Sequence, residues 1–211
     1  MKGKLKLISG QWIKSPLTQK TRPTTSIVRE AIINILGNKL EGASWLDLCS
    51  GSGIMSCEAL QKGVKRVLAI EKQRDTSKIC KKNLIDVSNT LDHTFHIEVK
   101  CKEMVSFLSK GPENKEIEFM NISPMSEQKF DFIFLDPPYD SELYEFSQKL
   151  LLSAQWIKKS SILICECSSK SLPRIHNSWE LNKEKTYGNT SVLFLTPNQA
   201  LNCFYDTDSM H

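Results

Sequence analysis

Residues 44–53 read Ser-Trp-Leu-Asp-Leu-Cys-Ser-Gly-Ser-Gly and join an apolar strand pattern to a glycine-bearing turn. Residues 54–60 continue with helical character, so the segment predicts a strand, a tight turn and a helix in succession. Glycines at this turn would let the backbone approach a ligand that also faces the helix N-terminus. Ser56 stands where the dinucleotide fingerprint G-x-G-x-x-G has its third glycine, which argues against a nicotinamide cofactor.

Two carboxylates accompany this turn at the ends of predicted strands. Asp47 precedes Gly51 by four residues and suits a ligand that brings an amino-acid tail or a ribose near the loop. Residues 66–71 form a second short apolar strand ending in Glu71, 18 residues past Gly53, where a carboxylate can accept hydrogen bonds from ribose hydroxyls. The alternative for Glu71 is a solvated charge at a strand end.

A third motif, Asp136-Pro137-Pro138-Tyr139, follows the apolar run of residues 130–135. The run predicts a buried strand that two prolines stop in a rigid turn. The Asp136 carboxylate and the Pro137 carbonyl are two acceptors for an exocyclic NH2 group, and Tyr139 offers a ring on which a flat base can stack. The alternative is a proline-terminated edge strand with an exposed tyrosine.

In this order, the three motifs resemble those of class I S-adenosylmethionine-dependent methyltransferases that act on an amino group. Residues 22–31, Arg-Pro-Thr-Thr-Ser-Ile-Val-Arg-Glu-Ala, resemble the R-P-T-x-x-x-V-R-E segment of the bacterial 16S ribosomal RNA guanine-N2 methyltransferases. Residues 9–12, Ser-Gly-Gln-Trp, are similar to the G-G-x-W/Y opening of that family, and Trp179 with residues 183–185 and Gly188 to its C-terminal end. The resemblance runs from about residue 5 to about residue 196.

The resemblance implies a Rossmann-like α/β fold, with a mostly parallel seven-stranded sheet, helices on both faces and a small basic N-terminal strand/helix extension. Strands that alternate with helices over residues 75–167, and a hairpin turning at residues 188–189, agree with that fold. We expect residues 1–40 to form an RNA-binding extension packed on a methyltransferase domain of residues 41–198. Residues 199–211 are expected to be a disordered tail, and the polar loop of residues 111–129 has no readable role.

The cofactor implied is S-adenosylmethionine. The residues expected to bind it are Asp47, Gly51, Gly53, Glu71, Glu103 and Asp136. Glu103 stands where the family usually has an Asp or Asn that contacts the adenine amino group. Because its side chain is one carbon longer, the sequence does not decide whether Glu103 makes the same contact. The alternative for Glu103 is an acid that the dipole favours at a helix N-terminus.

The predicted catalytic residues are Asp136, Pro137 and Tyr139. Hydrogen bonds from a guanine amine to Asp136 and to the Pro137 carbonyl would favour a pyramidal nitrogen and stabilise its growing positive charge. Tyr139 would stack on the base. This mechanism requires no metal, and Cys165-x-Cys167 without a second pair does not predict a zinc site.

The N-terminal residues are strongly basic. Residues 1–40 contain eight Lys or Arg and one acid, for a charge of +7, whereas the whole chain carries +4. Lys14, Arg22 and Arg29 are therefore predicted to contact phosphate, with a solubilising arm as the alternative. A helix capped by Thr24 or Thr25 is expected to turn one apolar stripe, which includes Ile27 and Val28, toward the core, with Arg29 off that stripe.

We therefore expect a cytoplasmic monomer that methylates guanine N2 in 16S ribosomal RNA, as free RNA or within the assembling 30S subunit. No apolar stretch reaches the roughly 18 residues of a membrane span, no signal peptide is recognisable, and the seven cysteines are expected to be reduced. The alternatives are an adenine-N6 or cytosine-N4 DNA methyltransferase, a silent RNA-binding scaffold on the same fold, and a nicotinamide oxidoreductase.

Overall fold

The computed structural model describes residues 3–16, 24–92, 94–112, 129–137 and 141–198. The strands are β1 (Lys4–Lys6), β2 (Trp12–Lys14), β3 (Ser44–Leu48), β4 (Arg66–Glu71), β5 (His96–Cys101), β6 (Phe130–Leu135), β7 (Ile157–Ser168), β8 (Trp179–Tyr187) and β9 (Thr190–Pro197). The helices are α1 (Ser26–Leu36), α2 (Ile54–Leu60), α3 (Arg74–Ser88), α4 (Met104–Leu108) and α5 (Ser141–Ser153), and a 3-10 turn spans Gly37–Leu40.

Seven of these strands form one sheet in the order β5-β4-β3-β6-β7-β9-β8. The strands from β3 to β7 pair in parallel, whereas β9 is antiparallel to both β7 and β8. The sheet is therefore mixed, and the prediction of a mostly parallel seven-stranded sheet is confirmed. The antiparallel end arises because Gly188, with φ of 61°, allows β8 to turn back into β9 within two residues.

Helices cover both faces of the sheet because its central strands are apolar on both faces. Successive residues of β3 alternate between the faces: Trp45 packs with the core residues of α1 and α2, and Leu46 with those of α4 and α5. Trp45 is fully buried and stacks on Phe134, with ring centroids 6.2 Å apart. The result is two apolar layers that hold the carboxyl ends of the parallel strands at one edge.

The N-terminal hairpin of β1 and β2 is attached to this domain by apolar packing. Leu7 and Ile13 of the hairpin, with Val28 and Ile32 of α1, belong to the same buried cluster as Trp45. Thr25 caps α1, since its side chain accepts a hydrogen bond from the amide of Val28 at 3.4 Å.

The burial of Arg29 shows that the predicted orientation of α1 was wrong. Its side chain is buried, whereas Ile27, expected in the core, is 65% exposed. The Arg29 guanidinium donates to Glu58 Oε1 at 3.0 Å, to the Thr24 carbonyl at 2.7 Å and to the Lys6 carbonyl at 2.8 Å. Because these three acceptors satisfy the buried cation, the helix is rotated so that Arg29 faces inward.

A second polar anchor is the amide side chain of Asn83 on α3, which is only 1% exposed. Its Oδ1 accepts the amide of Lys14 at 2.9 Å, and its Nδ2 donates to the carbonyls of Lys14 at 2.8 Å and Ser52 at 2.9 Å. One side chain therefore joins the hairpin to the glycine turn. Among the helices described here, none is long and apolar enough to cross a bilayer.

Candidate active site

A cleft of about 800 Å³ opens at the carboxyl ends of the parallel strands. Its lining includes the residues predicted at successive strand ends, namely Asp47, Gly51, Glu71, Glu103, Asp136 and Pro137. The sequence places these residues up to 90 positions apart, and the parallel sheet brings them to one edge because every β-α connection returns the chain to the same side. This is the position at which open α/β sheets bind ligands.

The two glycines of the turn serve different purposes. A Cβ on Gly53 would lie 2.7 Å from the Cys80 sulfur, so Gly53, with φ of 75°, allows α3 to pack closely behind the turn. Gly51, with φ of 54°, has no atom within 4 Å of the same position and lines the cleft. Its amide donates to Glu71 Oε2 at 3.0 Å, which fixes the turn against the end of β4. Gly51 therefore leaves open space toward the ligand, and Gly53 supports that turn from behind.

Asp47 places a carboxylate that is 1% exposed beneath the turn. Its Oδ2 accepts a hydrogen bond from Ser56 Oγ at 2.5 Å, whereas its Oδ1 has no partner among the described residues. Burial raises the pKa of Asp47 to about 7, against the lowering effect of Ser56. An unpaired, buried carboxylate oxygen on a residue that lines the cleft fits a ligand carrying an ammonium or hydroxyl group, such as the methionine tail or the ribose of S-adenosylmethionine.

Glu71 and Glu103 reach the same cleft from the next two strands. Glu71 accepts the amides of Gly51 and, at 2.8 Å, Gln73, so its carboxylate is oriented by backbone. Glu103 caps α4, because its two carboxylate oxygens accept the amides of Val105 at 3.0 Å and Ser106 at 2.8 Å. These bonds are those of an acid at a helix N-terminus, the alternative considered from the sequence. The Glu103 carboxylate nevertheless forms part of the cleft wall.

Asp136 lies directly after β6, at the same edge of the sheet as Asp47 and Glu71. Burial raises its pKa well above the usual value, and the negative charges of Glu166 and Asp47 raise it further. Pro137 is buried beside it and lines the cleft. Pro138 and Tyr139 lie outside the described residues, so the predicted stacking of Tyr139 stays a prediction.

The cleft residues that were not predicted as site residues include Glu166 of β7, Tyr144 of α5 and Thr24. The Tyr144 hydroxyl donates to the backbone carbonyl of Glu166 at 2.5 Å, and Thr24 Oγ1 donates to Glu166 Oε2 at 2.7 Å. Glu166 is an acid near the carboxyl end of a parallel strand, as Glu71 is, and that shared placement was the available signal. No local sequence pattern predicts the hydrogen bonds that Thr24 and Tyr144 make with Glu166.

The residues predicted to contact phosphate do not share one environment in the structure. Lys14 lies exposed on β2, opposite Lys4, while Lys6 lies opposite Trp12. The Lys6 ammonium lies 5.7 Å from the centre of the Trp12 ring, and Trp12 is 59% exposed. Arg29 was wrong as a phosphate contact, because its guanidinium is buried and already donates to three acceptors. Arg22 lies outside the described residues.

The sequence model of the family described as conserved hypothetical protein 95 matches residues 5–196. The chain belongs to this family. A ribosomal RNA small subunit methyltransferase D from Haemophilus influenzae is 30% identical, covering 89% of this chain and 91% of the relative. Its namesake from Escherichia coli K12 is 29% identical, with 88% and 86% covered. A solved Escherichia coli structure described as a methyltransferase has a TM-score of 0.73 and 25% identity, covering 93% of this chain and 100% of that one.

These similarities confirm the predicted class I methyltransferase fold and its family, and with them S-adenosylmethionine as the cofactor. The same fold occurs, at a TM-score of 0.57 and 14% identity, in an RNA methyltransferase from Salinibacter ruber solved with S-adenosyl-L-homocysteine. The relatives named here give no support to the DNA methyltransferase alternative. In the described part of the chain, six cysteines are free thiols and no cluster of three metal-ligating side chains occurs.

Proposed function

We propose that the protein transfers a methyl group from S-adenosylmethionine to the N2 amine of a guanine in 16S ribosomal RNA. The observation that carries the proposal is the placement of Asp136 and Pro137 in the same cleft as Asp47, Gly51 and Glu71. The names of the relatives, which are small-subunit ribosomal RNA methyltransferases, support the RNA substrate.

The cofactor half of the cleft is assigned by its donor and acceptor chemistry. Asp47 Oδ1 would accept from the ammonium of the methionine tail, and Glu71 from the ribose hydroxyls. The open side of Gly51 admits the ligand close to the backbone. Glu103 and the start of α4 would form the wall of the cleft beside the adenine ring. The bound cofactor supplies a methyl group on a sulfonium centre that is open to in-line attack.

Asp136 and Pro137 would prepare the target amine. The lone pair of a guanine amine is delocalised into the ring, so the nitrogen is a weak nucleophile. Hydrogen bonds from this amine to the Asp136 carboxylate and to the Pro137 carbonyl would draw the nitrogen out of conjugation and stabilise its growing positive charge. The same bonds favour the ionised form of Asp136, whose pKa is raised in the free protein. Asp136 can then accept the proton that the methylated amine releases.

The N-terminal hairpin would bind the RNA beside the cleft. Lys4, Lys6, Trp12 and Lys14 share its exposed face, so three ammonium groups and one aromatic ring can meet phosphates and an unpaired base. Leu5, on the opposite face, lines the cleft and connects the hairpin to the site. Arg22 and Tyr139 complete the proposal as a phosphate contact and a stacking ring. We place the reaction in the cytoplasm, with a monomer acting on 16S RNA or the assembling 30S subunit.

The direct test is transfer of labelled methyl from S-adenosylmethionine to 30S particles, naked 16S RNA and DNA, followed by mapping of the labelled nucleotide. We expect label on guanine N2 in one of the two RNA substrates. The Asp136→Asn variant should lose turnover by about 100-fold or more, because its neutral amide lacks the negative charge that would stabilise the growing positive charge on the amine, while it still binds the cofactor.

Asp75→Asn is the matched control, since the Asp75 side chain is 95% exposed on α3 and should keep full turnover. Label on DNA alone would overturn the substrate assignment. Undiminished turnover by Asp136→Asn would overturn the mechanism.

A further inference from the structure

The cleft continues past Asp136 toward β7, where Glu166 forms part of its wall. Glu166 is 9% exposed and lies two residues before the end of the strand. The neighbouring lining, from Cys167, Ser168, Asn189 and Thr190, is uncharged. This half of the cleft therefore presents a second carboxylate close to the one that is proposed to hold the target amine.

Two other parts of the chain hold Glu166 in place, one at its carboxylate and one at its backbone carbonyl. Thr24 Oγ1 donates to Oε2 at 2.7 Å, and Thr24, 5% exposed, is itself fixed because its carbonyl accepts from Arg29 at 2.7 Å. The Tyr144 hydroxyl, from α5, holds the backbone carbonyl of Glu166 at 2.5 Å. The side chain is therefore positioned before a substrate arrives, which is the condition for selective recognition.

The negative charge of Glu166 helps to raise the pKa of the Asp136 carboxyl. Two carboxylates that face one cleft repel each other, and a ligand with adjacent hydrogen-bond donors relieves that repulsion. Guanine has such an edge, because its N1–H lies beside the N2 amine. Adenine and cytosine instead place an unprotonated ring nitrogen beside their amine, and its lone pair would face a carboxylate.

We propose that Glu166 recognises the Watson–Crick edge of guanine by accepting N1–H, while Asp136 and the Pro137 carbonyl accept the N2 amine. The inference rests on the proposed function and extends it to base selection. A site built to accept a substrate N–H rejects an analogue that lacks it, because the mismatched groups stay unsatisfied in a buried place. Glu166 would thereby distinguish guanine from the other bases that carry an exocyclic amine.

The test replaces the mapped guanine with 2-aminopurine, which keeps the N2 amine but has a lone pair at N1. Small-subunit RNA carrying either base at that position is prepared by ligation and, where required, reconstituted into 30S particles. The wild-type protein should prefer guanine by about 100-fold in kcat/KM. In Glu166→Gln the amide can donate to the unprotonated N1 and can still accept from Thr24, so the preference should fall at least tenfold.

Glu180→Gln, an exposed position on β8, is the matched control and should keep the wild-type preference. Equal losses of rate on both bases in Glu166→Gln would show a structural role and overturn the inference, as would an unchanged preference. Loss of O6 in 2-aminopurine affects both proteins alike and cancels in the comparison. If the wild type methylates no RNA guanine at all, the proposed function fails, which is a different result from an unchanged preference.

Discussion

Asp47 is the residue whose protonation is most directly connected to ligand binding. Its pKa of about 7 arises from burial, which outweighs the lowering effect of the hydrogen bonds from Ser56. An ammonium group bound at the unpaired Oδ1 would favour the ionised form and lower that pKa. Ligand-free and ligand-bound protein should therefore hold different numbers of protons near neutral pH.

The ligand-free protein should lose stability as the pH rises from about 4 to about 7. The folded-state pKa of Asp47 is raised above the ordinary 3.8, so its contribution is fully present below about pH 4 and is lost as the pH passes the raised value. Relative to Asp47→Asn, the free energy of unfolding of the wild type should fall by on the order of 4 kcal/mol between about pH 4 and pH 8. Urea unfolding at several pH values measures this difference.

Asp86→Asn provides the comparison, because the Asp86 side chain is 48% exposed and should follow the wild-type pH profile. Parallel profiles for the wild type and Asp47→Asn would contradict the raised pKa. Calorimetric titration with S-adenosylmethionine near pH 6.5 should also show proton release that is smaller in Asp47→Asn.

Single residues also show where sequence interpretation ends. Asp47, Glu71 and Asp136 could be placed because each lies at or next to the carboxyl end of an apolar strand, and parallel strands end at one edge. Arg29 could not, because its burial depends on Glu58 and on the carbonyls of Lys6 and Thr24, which the helical period of α1 does not reveal. Arg29 was therefore expected on the surface, and Ile27 in the core.

At the scale of elements, the β1–β2 hairpin separates its two faces cleanly. Leu5 and Ile13 pair across the strands on the inner face, whereas Lys4 and Lys14, and Lys6 and Trp12, pair on the outer face. Antiparallel register places such partners side by side, so three lysines share one surface. Composition alone showed the basic excess of residues 1–40, but only the register shows which lysines act together.

Replacement of these three lysines by glutamine should weaken RNA binding and reduce its salt dependence. Each lost phosphate contact removes a released counterion, so the slope of log affinity against log salt should fall by about 2 for the triple variant. Filter binding to 16S RNA between low and moderate salt gives the slope. The affinity for S-adenosylmethionine should stay at the wild-type value.

Lys78, Lys82 and Lys149 are the control set, since each is about half exposed or more and pairs with a neighbouring acid. Their replacement by glutamine should leave the slope nearly unchanged. A similar fall in both triple variants would point to net charge rather than to the hairpin face.

The whole molecule is connected by a few polar side chains that bridge distant segments. Asn83 binds both Lys14 and Ser52, so the hairpin and the glycine turn share one anchor. The sequence indicated each element but not this link, because a buried asparagine within a helix carries no pattern that names its partners. The fold was therefore predictable from strand and helix patterns, whereas the connections between the extension and the site were not.

We expect Asn83→Ser to loosen both the hairpin and the glycine turn. The shorter side chain cannot reach the three backbone groups, and leaving them unsatisfied should cost about 1–3 kcal/mol. Hydrogen exchange should be faster at the Lys14 amide, and S-adenosylmethionine should bind more weakly. In the wild type, added cofactor should slow exchange at Lys14.

Gln61→Ala is the matched control for this link. Gln61 also contacts the hairpin segment, through Gln11 at 2.9 Å, but has no bond to the glycine turn. Its loss should leave cofactor affinity unchanged. If Asn83→Ser and Gln61→Ala behave alike, the shared anchor does not couple the two segments.

The hydrogen bond between Thr24 and Glu166 joins positions 142 residues apart. During synthesis, the strand that carries Glu166 leaves the ribosomal exit tunnel long after the residues of the glycine turn have emerged. A nascent chain therefore contains the residues proposed to bind the methyl donor before it contains all of those proposed to bind the base. An arrested or clipped product that ends before β7 would lack Glu166 and, with it, the complete pocket for a base.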